Sequence, residues 1–316
     1  MASTTKILIR PERVTDYAQI ASVHARAFDN RTGEPLIVAL HRQRRVFDPE
    51  LSLVAEIDGH LVGHVLFSPH QIRLLDSTVP AVNLAPIAVE PAYQGQGIGG
   101  QLITEGHAIA TSKGYTVSFL LGHTTYYPRF GYHTHAYGSS QLLLPTQGPS
   151  HEPLEGRGPR DEDVPALCEL WQREEQEVDM ALSPGRDLLD WLSPHPAIEA
   201  SVYLRSGTIV GYTRVHQNEP TQPRFFLARD AETARAIVST MARKLETEAH
   251  ETQFTLPLHP LSASAQALGG AKCRSWEAAM ACELGPSPLP DYLAHVRAGQ
   301  RPAGRPIWPV LFDLAV

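Results

Sequence analysis

An α/β fold laid down twice along the chain is what this sequence predicts, and three observations carry the prediction. Strand-like apolar runs alternate with amphipathic helical patterns between Ile7 and Leu121. A glycine-rich turn, Gln94 to Gly99, joins an apolar run to a helix. Residues of the first half then recur: Arg13, Asp16, Ile20 and Val23 return at an offset of 147 as Arg160, Asp163, Leu167 and Leu170, and Gly59 and Gly63 return at 148 as Gly207 and Gly211.

Taken in order, Ile7 to Arg10 reads as a strand, and Asp16 is placed to cap a helix whose apolar face holds Ile20, Val23 and Ala27. A short helix follows over Glu34 to Arg44. Leu51 to Ile57 and Leu61 to Phe67 form a hairpin around Asp58-Gly59-His60, where glycine supplies the turn. The strand Val82 to Val89 stops at Pro91. After the glycine turn, Ile98 to Lys113 is a helix burying Ile98, Leu102, Ile109 and Ala110, with Gly106 permitting close approach to a sheet and Gly114 ending it. Thr116 to Leu121 is the next strand.

The glycine turn admits two patterns. Gly95, Gly97 and Gly100 fit G-x-G-x-x-G, the dinucleotide fingerprint, but that belongs after the first strand of a parallel unit, with an acidic residue about 20 positions on. Here several strands precede it, and Thr116 to Leu121 runs into Gly122 and His123 with no carboxylate. The other pattern is Q-x-x-G-x-G, met by Gln94, Gly97 and Gly99. Within VEPAYQGQGIG it resembles the acetyl-coenzyme A loop of the GNAT superfamily of N-acetyltransferases. A second segment, LLGHTTYYPRFGY (Leu120 to Tyr132), resembles the tyrosine turn that follows in that family, and the doublet Tyr126-Tyr127 before PRFGY is most similar to its YhbS-like bacterial subgroup.

The resemblance implies tandem GNAT folds, each an α+β mixed sheet, and acetyl-CoA as co-substrate. It places the pantetheine arm along Ile87, Ala88 and Val89, and the pyrophosphate on main-chain N–H groups of Gln94, Gly95, Gln96, Gly97, Ile98 and Gly99, where a helix dipole favours an anion. Pro86 would disturb strand pairing, which suits the splay that admits the cofactor. Tyr127 is the implied general acid, chosen over Tyr126 by its spacing to Gly131; from a pKa near 10 to a thiolate near 8.5, proton transfer is uphill by about 2 kcal/mol. Deprotonating a primary amine of pKa near 10.4 at neutral pH costs roughly 4 kcal/mol more. Family members often place an acid on the strand before the loop. Here Asn83 and Ala85 stand there, leaving Glu34, Glu56 and His64 as candidates for the base.

At 316 residues the chain suggests two domains: a catalytic one over 1–147 and a degenerate copy over 157–316, joined by a Pro- and Gly-rich stretch within Leu144 to Pro165. The second copy has RDAETAR where the first has its glycines, and Ala263 to Leu268 where the first has its tyrosine. It also has a helix from Ala231 to about His250 and a strand Gln253 to Leu258. The first copy is one strand short, with only Tyr137 to Leu144 after the tyrosine turn. The apolar tail, about 306–316, is therefore predicted to be a strand that packs at the domain interface or adds to the first domain's sheet, bringing the Val316 carboxylate towards the acceptor, where the resemblance to larger multi-domain relatives implies a base.

A hydrophobic content of 42%, a charged content of 19% and a net charge of −7 describe a globular protein without a nucleic-acid surface or a membrane span. No export signal is evident, and Cys168, Cys273 and Cys282 suit free thiols in a cytoplasm. The 15 histidines lack ligand spacing, so no metal is expected. The reading is a cytoplasmic N-acetyltransferase acting on a primary amine, a small molecule in preference to a protein, with oligomeric state open. An acyl-CoA sensor without turnover is the alternative, and a dinucleotide oxidoreductase stands third.

Overall fold

The structure, a computed structural model, describes residues 7–146, 153–245 and 252–315. The first half runs β1 (Leu8–Pro11), α1 (Tyr17–Ala27), α2 (Gly33–His41), β2 (Ser52–Ile57), β3 (His60–Leu74), β4 (Ser77–Val89), α3 (Ile98–Ser112), β5 (Val117–Leu121) and β6 (Gly138–Thr146). The second runs β7 (Glu155–Arg157), α4 (Val164–Glu175), β8 (Ile198–Arg205), β9 (Thr208–His216), β10 (Phe225–Ala228), α5 (Ala231–Arg243) and β11 (Thr252–Leu256). It ends with α6 (Ala263–Leu268), β12 (Lys272–Ser275), β13 (Ala279–Glu283) and α7 (Leu289–Arg297).

Three sheets result, ordered β1-β2-β3-β4-β5-β13, β10-β9-β8-β7 and β11-β6-β12. In the first, only β4 and β5 are parallel, so the sheet is mixed. Alternating side chains of β2, β3 and β4 bury Leu53, Val65, Phe67 and Val82 beneath Ile98, Leu102 and Ala110 of α3. A Cβ at Gly106 would collide with the Phe67 ring, so this glycine is required by packing. On the opposite face α1 and α2 cover Val54 and Leu61 with Ile20 and Val38.

The recurrence read from the sequence has a structural counterpart. Arg10 grips Asp16 at 2.6 Å and Arg157 grips Asp163 at 2.6 Å. Both aspartates also accept the backbone N–H three residues back, from Arg13 and from Arg160, each at 2.7 Å. Both hairpins shift register at matching places, between Ala55 and Glu56 and between Tyr203 and Leu204.

The two copies exchange strands. β6 leaves the first copy and pairs with β11 and β12, while β13 returns from the second to pair antiparallel with β5, Ala279 opposite Leu121 and Glu283 opposite Val117. The strand missing from the first sheet is therefore β13, and the prediction of a strand at 306–316 is corrected. Pro306 and Pro309 lack N–H groups and fix φ, which disfavours pairing there; Val310–Ala315 forms a 3-10 turn instead. That turn lies against α2, with the rings of Phe312 and His41 5.9 Å apart. Val316 is outside the described residues. The predicted linker is also corrected in part, since β6 reaches Thr146 and β7 begins at Glu155; 147–152 are not described.

Smaller differences have plain causes. Asp16 closes a 3-10 turn before α1, because Arg10 and the Arg13 N–H occupy its carboxylate, and it does not cap the helix through its side chain. β4 starts at Ser77, ahead of the predicted Val82, because hydrogen bonding to β3 carries the polar residues that an apolar run omits.

Candidate active site

The site begins where β4 and β5 part. They pair only from Ala81 to Asn83 against Val117 to Phe119. Beyond that point β5 is held on its other side by β13, and β4 on its other side by β3. Ala85 and Pro86 together stand opposite Leu66, between the pairs Phe67–Leu84 and Val65–Ile87, so the bulge falls at the start of the divergence. The β4 edge facing the gap keeps main-chain groups that β5 does not use.

A cleft of about 810 Å³ fills this gap. It brings together Ile87, Ala88, Val89, Gln94, Gly95, Gly97, Ile98 and Gly99 with Tyr127. Gln96 is the exception among the sequence-predicted residues. Its side chain turns back to the carbonyl of Ala92 at 3.4 Å, and it does not line the cleft.

Gly97 adopts φ 82°, a left-handed conformation suited to glycine, as the residue that opens α3, and no side chain caps that helix end. The N–H groups of the first turn consequently lack intrahelical partners and face the cleft, where the helix dipole favours negative charge. The Gln94 side chain donates to the carbonyl of Val89 at 3.0 Å and so ties the loop to the end of β4.

Tyr127 opens the 3-10 turn Tyr127–Phe130, which Gly131 ends at φ 86°. The side chain is 7% exposed, and burial, then the neighbouring Tyr126, pushes its pKa up to about 12. No hydrogen bond among the described residues uses its hydroxyl. Tyr126 lies against α3, where a Cβ on Gly99 would come within 2.7 Å of its hydroxyl oxygen, and Arg129 stacks on its ring at 4.5 Å. Tyr132 is a structural anchor: its hydroxyl lies 2.6 Å from Ser118 Oγ and 2.9 Å from His107 Nε2.

Sequence reasoning missed how the tyrosine turn is held. On β13 and just before it, Ala278 accepts from Gly122 N–H at 3.0 Å, Ala281 exchanges both backbone bonds with His133, and the Cys282 thiol donates to Phe130 O at 3.5 Å. Nothing in the first half signals a support more than a hundred residues away.

A second cavity, about 520 Å³, meets the cleft at Ala85, Pro86 and Leu121. Glu34 and Asn83 come from the first copy, Arg214 and Arg224 from the second, and Trp308, Phe312 and Asp313 from the tail. Arg214 pairs with Asp313 at 3.0 Å and donates to Trp308 O at 3.1 Å. Of the three candidate bases, only Glu34 lines this cavity. Glu56 is held by Arg10 at 2.8 Å, and His64 is fully buried between His24 at 2.8 Å and Ser52 at 2.9 Å, its pKa lowered by burial. Both are thereby removed as candidates. The dinucleotide reading also falls, because the glycine loop follows the fourth strand of the chain where the fingerprint belongs after the first, and β5 ends without a carboxylate.

Among known proteins, residues 8–135 match the acetyltransferase (GNAT) domain. The uncharacterized N-acetyltransferase YhbS of Escherichia coli is 34% identical over 140 residues, 44% of this chain and 81% of that protein. The chain belongs to the GNAT family of acetyltransferases. The uncharacterized N-acetyltransferase YjhQ of Escherichia coli is 40% identical over 119 residues, which are 37% of this chain and 65% of YjhQ. A GCN5-related N-acetyltransferase from Kribbella flavida has a TM-score of 0.66 at 18% identity, covering 90% of this chain and 71% of its own, and shares the fold. The matched region is thus a GNAT acetyltransferase domain with the mixed sheet that the resemblance implied. No helix among the described residues is long and apolar enough to cross a membrane, and none of their His, Cys, Asp and Glu side chains form a group of three or more that could hold a metal.

Proposed function

We propose that this GNAT protein transfers an acetyl group from acetyl-CoA to the primary amine of a small molecule, with Tyr127 as general acid. The observation that carries this reading is the uncapped, glycine-turned start of α3 beside the free edge of β4, with Tyr127 over the same cleft. Pyrophosphate suits the first, an extended pantetheine arm suits the second, and N–H groups on β4 polarise a thioester carbonyl. The neutral amine nitrogen attacks the carbonyl carbon and the C–N bond forms; the nitrogen then gives its surplus proton to solvent, the C–S bond breaks, the departing thiolate takes the Tyr127 proton, and solvent returns a proton to Tyr127.

With Tyr127 at about 12 and a free thiol near 8.5, full proton transfer is uphill by about 5 kcal/mol. The same burial disfavours the thiolate, so the difference narrows inside the cleft. A short hydrogen bond to sulfur as charge develops is the larger part of the role. A pocket of about 520 Å³ at the reacting end has the size of a small-molecule site, which favours such an acceptor over a protein surface.

The test is Tyr127→Phe against Tyr126→Phe, with thiol release measured over an amine panel and acetyl-CoA affinity by calorimetry. Tyr127→Phe is expected to lower turnover about 100-fold with affinity little changed. Unchanged turnover would remove Tyr127 from the chemistry, and tight acetyl-CoA binding without thiol release from the wild-type protein would make it a sensor.

A further inference from the structure

The cavity beyond Leu121 contains groups that the transfer chemistry does not use. Two of its acceptors, Glu34 Oε2 and Asn83 Oδ1, are buried and receive no hydrogen bond. Glu34 takes part in no ion pair among the described residues. An acceptor buried without a donor is costly, and a carboxylate more so. Both needs are met by one group that donates several N–H bonds and carries positive charge, a primary ammonium.

The positive groups of the same cavity divide in the same way. Arg214 is neutralised by Asp313 at 3.0 Å, and Arg305 by Glu175 at 2.5 Å. Arg224 is left, with a guanidinium that makes no ion pair or hydrogen bond among the described residues. Trp308, Phe312 and Trp276, the last 38% exposed, line the same cavity as these two unmatched charges. Their faces suit an apolar or aromatic body.

We infer that the acceptor is a zwitterion: a primary ammonium seated on Glu34 and Asn83, an apolar body against the indole rings, and a carboxylate or similar anion on Arg224. An amino acid with an aromatic side chain has this chemistry. The inference rests on the acetyl-transfer reading, since it assigns the partner of that reaction. It adds that charge at both ends of the acceptor, contributed by both copies of the fold, sets specificity.

The experiment uses the full chain loaded with coenzyme A, titrated calorimetrically with L-phenylalanine, with phenethylamine, which lacks the anion, and with 3-phenylpropionate, which lacks the ammonium. L-phenylalanine should bind at least about tenfold tighter than either, since each missing partner leaves a buried group unpaired. Glu34→Gln should erase the advantage over 3-phenylpropionate, and Arg224→Met the advantage over phenethylamine, with coenzyme A affinity unchanged in both. Equal binding of the three probes, no binding of any, or variants that keep the full preference would overturn the inference while leaving acetyl transfer standing if thiol release from other amines persists. Absence of coenzyme A binding in the first titration would sink the transfer reading, and this inference with it.

Discussion

The two halves of the chain carry the same scaffold up to one helix start and then differ. In the first, α3 opens on Gly97 with no side-chain cap. In the second, α5 opens on Asp230, whose Oδ1 accepts from Thr233 N–H at 2.8 Å. One half leaves its helix end uncapped, where the dipole favours an anion, and the other closes it with a carboxylate of its own, which also repels phosphate. The strands differ to match. β4 runs 13 residues and leaves an edge beside the splay, whereas β10 has 4 and, among the described residues, pairs only with β9. On the shared scaffold the second copy thus differs by a cap and a shorter strand, while both copies keep a packed core.

Separating the halves should produce the largest effect. A piece ending at Thr146 loses β13 and exposes the edge of β5, so it should show no cooperative thermal transition by circular dichroism; a sharp transition at the full-length temperature would mean the exchanged strands are dispensable. Next, Gly97→Glu places a charge where Asp230 stands in the other copy, and calorimetry should find coenzyme A affinity lower by about 100-fold, or roughly 3 kcal/mol. If affinity holds in the folded variant, the helix start is not the anion site.

Acid should distinguish the halves as well. Burial, reinforced by nearby positive or titratable groups, lowers His24 to about 2 and His41 and His70 to about 3, all in the first half, whereas the second buries His259 at about 4. These imidazoles stay neutral when folded and protonate near 6.5 when unfolded. Their stabilisation is complete above pH 6.5 and is lost as pH falls towards the folded values, by about 2 kcal/mol each at pH 5. Amide exchange at pH 7 and pH 5 should therefore show α1, α2 and β3 opening first; equal loss in both halves would contradict this. The smallest effect is that of Asp230→Ala, which removes a cap worth about 1 kcal/mol and should lower the melting temperature by roughly 2–4 °C.

Local features of the fold were legible because local chemistry sets them. Gly59 and Gly207 marked their hairpins, Gln94 to Gly99 marked the turn into α3, and the tyrosine turn was placed by Gly131. What sequence could not supply was partnership at long range. β6 reads as a strand, yet nothing in Gly138 to Thr146 says that its neighbour is β11 and not β5. The tail misled because Trp308, Val310 and Leu311 have strand composition, while the prolines beside them set the backbone. Arg214, Arg224 and Trp276 gave no signal as lining residues, since a wall assembled from three distant segments has no spacing to read. Glu34 was within reach only as one carboxylate among many.

The strand exchange also has a consequence for how the chain is made. A ribosome delivers domains in order, and an N-terminal domain ordinarily completes itself while the rest is still being translated. Here the first sheet waits for β13, about 160 residues after β5 has emerged, which is on the order of 8–30 s at about 5–20 residues per second. Through that interval the β5 edge that β13 covers has no permanent neighbour, and β6 waits for β11. The nascent protein therefore offers chaperones a bare sheet edge for about half of its synthesis, and the first sheet is complete only when most of the second copy has been made.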